Sequence, residues 1–250
     1  MRGLGELKNI QIIILGLCIA FATIVSTVIL SKGLLKIKKF TGEVIKVTGS
    51  AEKKIISDYI VWNAEFSRRA PDLKTAYTKL QEDLKKVKEY LASKGVKEDE
   101  LEILPVNTKI LYKKNEKGYD TNEIEGYLLS QGIEIKSYDV KKIDEVSRSS
   151  TELINQDIQF ISEAPQYFYT KLAQLKVEML AKATENAKQR AISMAKSTGN
   201  KIGVIRSARM GVFQITPPTS TDVSWYGEND TSSLEKKVMA VVAATFSIEE

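Results

Sequence analysis

The sequence contains no histidine. That absence removes His-ligated zinc sites, Ser-His and Cys-His nucleophile pairs, and imidazole general bases. Cysteine is nearly missing too. Cys18 is the only one and lies in an apolar run, which leaves the rest of the chain without a disulfide or thiol chemistry. There is no GxSxG, no phosphate-binding glycine loop and no metal-ligand cluster, so no cofactor or metal is expected. Blocks of one charge sign are scarce as well. The formal charge of +5 and pI near 9.0 come from Lys and Glu dispersed along the chain, the pattern of a solvated surface and not of a nucleic-acid stripe.

One long hydrophobic run is present, from Ile10 to Leu30, with Gln11 its only strongly polar side chain. At ~1.5 Å per residue it makes a helix of roughly 30 Å, the thickness of a bilayer's hydrocarbon core. Arg2 and Lys8 precede it, and Lys32, Lys36, Lys38 and Lys39 follow. Three readings compete. A membrane anchor is favoured because the run continues well past Ala20-Phe21-Ala22, the small-residue pattern where a signal peptide would be cleaved. Leu15-Gly16-Leu17-Cys18 echoes a lipid-attachment box but has Leu17 where a small residue belongs. Orientation is open from charge alone. More cations on the C-terminal side would keep the body in the cytoplasm, whereas an N-terminal anchor acts as a secretory signal. The organisation expected is a tail over 1–9, an anchor over 10–30, a basic neck over 31–39 with Lys36, Lys38 and Lys39 among headgroups, and one body over 40–250.

In the body, residues 40–50 read as a strand with Val44, Ile45 and Val47 inside it, and Thr48-Gly49-Ser50 marks a turn or bulge. Ile60, Trp62, Ala64 and Phe66 alternate with more polar neighbours as a second strand. Pro71-Asp72 opens a helix with Leu73, Ala76, Tyr77, Leu80, Leu84, Val87 and Leu91 on one side and Gly95 at its end. Glu82 and Lys86 lie one turn apart on its wet side. Strands follow around Val106–Tyr112 and Tyr127–Ile135, with 113–122 as a loop. A short helix over 139–155 precedes a strand interrupted at Pro165, hence an edge or bulged strand. A long helix over 170–198 carries Ala183, Ala187, Ala191 and Ala195, a flat stripe that lets another element approach closely. Strands over 204–215 and 234–248 complete the chain, with a loop over 217–233 between them. The last is apolar on both faces in its middle, which predicts a central strand or one covered by another subunit. The fold class is α+β, with helices on largely antiparallel sheet and strand-helix-strand-strand occurring twice.

Val47-Thr48-Gly49-Ser50-Ala51, the helix after Pro71-Asp72, Gly95-Val96 with Ile103, Gly126-Tyr127, and the run from Ala183 to Ala195 and Gly199 together resemble the SIMPL-domain (DUF541) family. That family includes periplasmic outer-membrane-associated antigens of bacteria. Two departures stand out. Ser57-Asp58 occupies the place of a Pro-Asp pair, and no glycine follows the middle helix near Asn155. The resemblance implies export, an α+β body, assembly into rings or channel-like homo-oligomers, a loose link to envelope stress and no known enzyme activity.

Trp225 and Tyr226 stand in a polar loop, either as a partner contact or folded back over the body. Arg190 reads as a solvated or ion-paired cation, and Asn229-Asp230-Thr231 fits a glycosylation sequon. The carboxylates Asp58, Glu65, Asp120, Glu123 and Glu125 lie on or near strands without a spacing that singles out a pair. The expected function is a membrane-anchored extracytoplasmic structural or interaction protein, its small-molecule ligand unknown and nucleic acid not expected. Two alternatives remain, a carboxylate-based hydrolase and a binder of an acidic lipid or polymer.

Overall fold

A computed structural model describes residues 3–40 and 43–249, with side chains placed for 14–35 and 43–249. The element order begins α1 (Gly3–Phe40), β1 (Val44–Ile56), β2 (Tyr59–Ala70), α2 (Leu73–Ser93), β3 (Leu101–Lys114) and β4 (Asp120–Ser137). It continues α3 (Val140–Ser149), β5 (Gln159–Ser162), β6 (Gln166–Phe168), α4 (Leu172–Ser197), β7 (Lys201–Met210), β8 (Gln214–Thr216), β9 (Glu228–Asn229) and β10 (Glu235–Glu249). The fold is α+β with two five-stranded sheets. One has the order β1-β10-β8-β9 with β7 also on β10, the other β3-β4-β2-β5 with β6 also on β2. The chain divides into two compact units. The α1-bearing unit comprises Met1–Gly49, Glu185–Arg209 and Val242–Glu250, and the larger unit Ser50–Thr184 and Met210–Val241.

The core of the larger unit forms between α2, α3 and the inward face of the second sheet. Ile60, Trp62, Ala64 and Phe66, alternate residues of β2, are all buried there with Leu129, Ile133 and Ile135 of β4. β2 and β4 pair antiparallel from Ile60↔Ser137 to Ala70↔Tyr127. On its other edge β2 pairs with both β5 and β6, so the strand expected to break at Pro165 is two short edge strands. Asp72 caps α2 by accepting from the Thr75 amide at 2.9 Å. Gly95, at φ +79, ends it with its N–H on Ala92 O and the Val96 N–H on Leu91 O, the left-handed stop that glycine allows without a Cβ penalty.

In the α1-bearing unit Val47, Ala187, Ala191, Ala244 and Phe246 form a separate small core. Alanine at Ala187 and Ala191 brings the α4 backbone close to the sheet. Ala183 and Ala195, on the same stripe, are also buried. β10 is an interior strand with β1 on one side and β7 and β8 on the other, as its doubly apolar middle predicts.

Several expectations need correction. The first strand begins at Val44, not Phe40, which belongs to α1, and Thr48-Gly49-Ser50 makes no turn in it, because Ile45, Val47, Gly49 and Ala51 keep strand alternation and β1 runs on to Ile56. The loop expected over 113–122 shrinks to 115–119, because cross-strand pairing continues to Lys114↔Asp120. The strand expected over 204–215 is two, β7 and β8, separated at 211–213. On α2 the inward residues are Ala76, Leu80, Asp83, Val87, Tyr90 and Leu91, whereas Leu73 and Tyr77 are exposed. Lys86 meets the Gln156 carbonyl at 3.5 Å and lies across a turn from Glu82 without an ion pair between them among the described contacts.

Candidate functional site

The most distinctive surface is α1 itself. Ile14–Leu35 is long and apolar enough to cross a membrane, and none of it is buried against the rest of the protein. Two of its hydroxyls are satisfied within the helix. Thr23 Oγ1 donates to Ala20 O at 2.8 Å, and Thr27 Oγ1 to Thr23 O at 2.7 Å. That internal pairing is what a lipid environment requires. The helix continues to Phe40, so the backbone of the basic neck is helical. The side chains of Lys36, Lys38 and Lys39 lie outside the described residues.

The second surface is the loop between β8 and β10. Trp225 is 94% exposed and Tyr226 97% exposed, with Val223 beside them also exposed. Neither aromatic folds back over the body. The loop is nonetheless held. Buried Gln214 donates from Nε2 to Ser224 O at 2.7 Å and accepts the Ser224 N–H at Oε1 at 3.3 Å. Gly227, at φ +87, turns the chain behind Tyr226 where a Cβ would stand 2.9 Å from Phe213 O. Sequence reasoning singled out the two aromatics and missed Gln214, whose role depends on a contact ten residues away. Asn229 of the sequon is exposed, in β9.

A third surface is the β3–β4 ribbon. β2 ends at Ala70↔Tyr127, and beyond it β3 and β4 continue as two strands alone. Tyr112 and Ile124 are exposed on that part, and Ile110, opposite Tyr127, is exposed at its base. β3 is the sheet's edge strand, so its outer N–H and C=O groups have no ladder partner in this sheet.

The carboxylates do not converge. Asp58 accepts from the Thr170 N–H at 2.7 Å and its hydroxyl at 2.9 Å, anchoring the approach to α4. Glu65 and Asp120 are exposed, Glu123 pairs with Lys113 at 2.9 Å, and Glu125 with Arg69 at 2.7 Å. Among the described residues no group of three or more Cys, Asp or Glu could hold a metal ion. Arg190 donates to Thr48 O at 3.0 Å in the α1-bearing unit.

Two buried charges were not anticipated. Asp83 lies on the core side of α2, 1% exposed, where Arg68 of β2 grips both its oxygens, Nη2 to Oδ1 at 2.8 Å and Nε to Oδ2. Arg68 also donates Nη1 to Asp157 at 3.1 Å. The Asp83 hydrogen bond holds the guanidinium above its ordinary range. Asp157 has φ +63, a left-handed backbone that a short polar side chain tolerates better than most. Lys236 is buried at the start of β10, with Nζ on Asp230 O at 2.5 Å and Asp230 Oδ2 at 3.7 Å. Desolvation lowers its pKa against the pull of Asp230. Both buried charges were visible as breaks in periodicity. Asp83 continues the Ala76, Leu80, Val87 stripe, and Lys236 the Val238, Ala240, Val242 face.

Comparison with known families matches residues 45–246, most of the chain, to the family described as SIMPL, a protein of unknown function (DUF541). No curated relative matches the chain significantly.

Proposed function

The chain belongs to the SIMPL family, and from that premise we propose that it is a membrane-anchored extracytoplasmic interaction protein that assembles with copies of itself. The observation carrying this reading is α1, whose Ile14–Leu35 stretch is apolar and wholly exposed. An exposed apolar surface of that size is stable only in lipid or under a partner. Trp225 and Tyr226 are the contact point for the partner, because exposed aromatics on a fixed loop anchor interfaces efficiently. The exposed apolar side chains of the β3–β4 ribbon and its open edge support self-assembly. The body's role is binding and scaffolding, not catalysis.

Protease added to intact spheroplasts tests the topology. Digestion of the body without lysis is expected, and protection until lysis would refute the extracytoplasmic placement. Light-scattering mass of the full chain in mild detergent tests assembly, and a monomer at high protein concentration would refute that part. Deletion strains challenged with membrane-disrupting detergent test the link to envelope stress, where unchanged survival counts against it.

A further inference from the structure

Charge is partitioned between the two units. From Lys32 onward the α1-bearing unit, which under the proposed function is the anchor-bearing one, carries eleven Lys and Arg against four Asp and Glu. The larger unit carries 24 against 27. The modest net charge of the chain therefore hides a cationic unit that contains α1 and a slightly acidic second unit.

The cations of the anchor-bearing unit stand on accessible elements. On α4, Lys188, Ile192 and Lys196 follow one another at four-residue spacing and are all exposed, a basic-apolar-basic stripe along one helix face. The buried stripe of Ala187, Ala191 and Ala195 is the face that packs, so the exposed one remains for solvent or a partner. Lys201 opens β7, and every residue of β7 from Val204 to Arg209 is exposed, Val204 and Ile205 together with Arg209. Interleaved apolar and cationic side chains suit a bilayer interface, where aliphatic stems enter and charges stay at headgroup level.

The unit is also tied to the end of α1. Glu43 is three residues after Phe40, at most about 11 Å along the chain. Its carbonyl accepts the Ile248 N–H at 3.0 Å, which fixes the end of β10 beside the start of the body. The first turn of β7 lies against the same end of β10, because a Cβ on Gly203 would collide with the Glu249 carboxylate and the Ser247 hydroxyl. The Asn200 N–H returns to Ala195 O at 2.9 Å and joins the end of α4 to that corner. Glu43, Glu185 and Glu249 are the acids on these elements, and they leave a clear excess of cations.

We propose that the exposed cations of the anchor-bearing unit, Lys188 and Lys196 of α4 with Lys201 and Arg209 of β7, bind anionic phospholipid headgroups of the bilayer that α1 enters. The inference rests on α1 being a membrane anchor. Tethering places these cations at high effective concentration near one bilayer, so weak individual contacts suffice. Each Lys or Arg near an anionic surface contributes severalfold in affinity and loses that contribution as salt screens it. The body is thereby held down on the membrane by charge, in addition to its covalent tether.

The test is amide exchange on the full chain in lipid nanodiscs, either neutral phosphatidylcholine or the same with phosphatidylglycerol. In anionic discs at low salt, exchange across Ile192–Arg209 is expected to slow about tenfold, with the β3–β4 ribbon unchanged as internal reference. The slowing should vanish in high salt and in the variant Lys188→Glu/Lys196→Glu/Arg209→Glu. Equal exchange in the two lipids would overturn the headgroup contact, and so would slowing that survives high salt. The wild-type comparison stands even if the variant fails to fold. Loss of the chain from the discs on sizing would refute anchoring itself, a result distinguishable from retention with equal exchange.

Discussion

Arg68→Ala should destabilise the larger unit far more than its single side chain suggests. Asp83 is 1% exposed, and both its oxygens are held by the one guanidinium. Removing Arg68 strands a carboxylate among Ala76, Leu80 and Val87, which costs about 3–5 kcal/mol when one partner of a buried pair is deleted. The Arg68 stem adds packing to that loss. Asp157→Asn removes the other charge on Arg68, but that carboxylate is 95% exposed, and the asparagine still tolerates the left-handed backbone. It should cost under about 1 kcal/mol. Replacing the buried pair together, Arg68→Met with Asp83→Leu, should recover most of the stability lost in Arg68→Ala, because no charge is then left without a partner. The assay is urea unfolding of the full chain in mild detergent, read by the fluorescence of Trp62. That residue is buried in the same core, whereas Trp225 is already in solvent and can be replaced by Phe to remove its background. A single Arg68→Ala cost under about 1 kcal/mol would refute the reasoning. A double variant as unstable as the single would show that stranded charge is not the cause.

Tyr167 gives an alkaline signature. Desolvation first, then its hydrogen bond to Asp144 at 2.6 Å, pushes the phenol up to about 12. A raised folded pKa favours the protonated form, so its contribution is full below pH 10 and is lost as pH rises toward about 12. The stability difference between wild type and Tyr167→Phe should shrink over that window, and a constant difference would count against it. Glu178, held down to about 2 by Lys182 and then Lys53, acts in the opposite window. Its contribution is present above its ordinary range and is lost as pH falls from there toward about 2, which Glu178→Gln should abolish in an acid titration. Gly126→Ala should destabilise by about 1–3 kcal/mol in the same urea assay, because the added methyl would stand 2.7 Å from the Ala70 carbonyl in the β2–β4 ladder. Trp225→Ala with Tyr226→Ala should leave stability within about 0.5 kcal/mol while abolishing assembly or partner capture, and unchanged assembly would remove the loop from the contact.

Most of the fold could be read from periodicity. The alternation around Trp62 and the four-residue alanine spacing on α4 identify which faces are buried, because burial repeats with the geometry of the element. Boundaries were less legible where pairing overrides local composition. Gly49 resembles a turn residue, yet the β1 ladder carries it through. The polar residues 113–114 and 120–122 resemble a loop, yet cross-strand hydrogen bonds and the Lys113–Glu123 pair make them ribbon. Of the site, Trp225 and Tyr226 were recognisable as aromatics in a polar setting. The Gln214 clamp was not, because a side-chain amide pairing with backbone ten residues on leaves no periodic trace. Asp157 shows the same limit, because aspartate gives only a weak hint of its left-handed backbone.

The Gln214 clamp has a thermodynamic consequence for whatever seats on the loop. Ordinarily a loop that docks through aromatics must first be ordered, and the entropy lost in ordering subtracts from affinity. Here Ser224 is already bonded twice to a buried amide, and the turn behind Tyr226 is fixed at Gly227. Association should therefore carry a small entropic penalty and little change in loop dynamics. Gln214→Ala would weaken it without touching the partner, an affinity loss that calorimetry would register almost entirely as entropy.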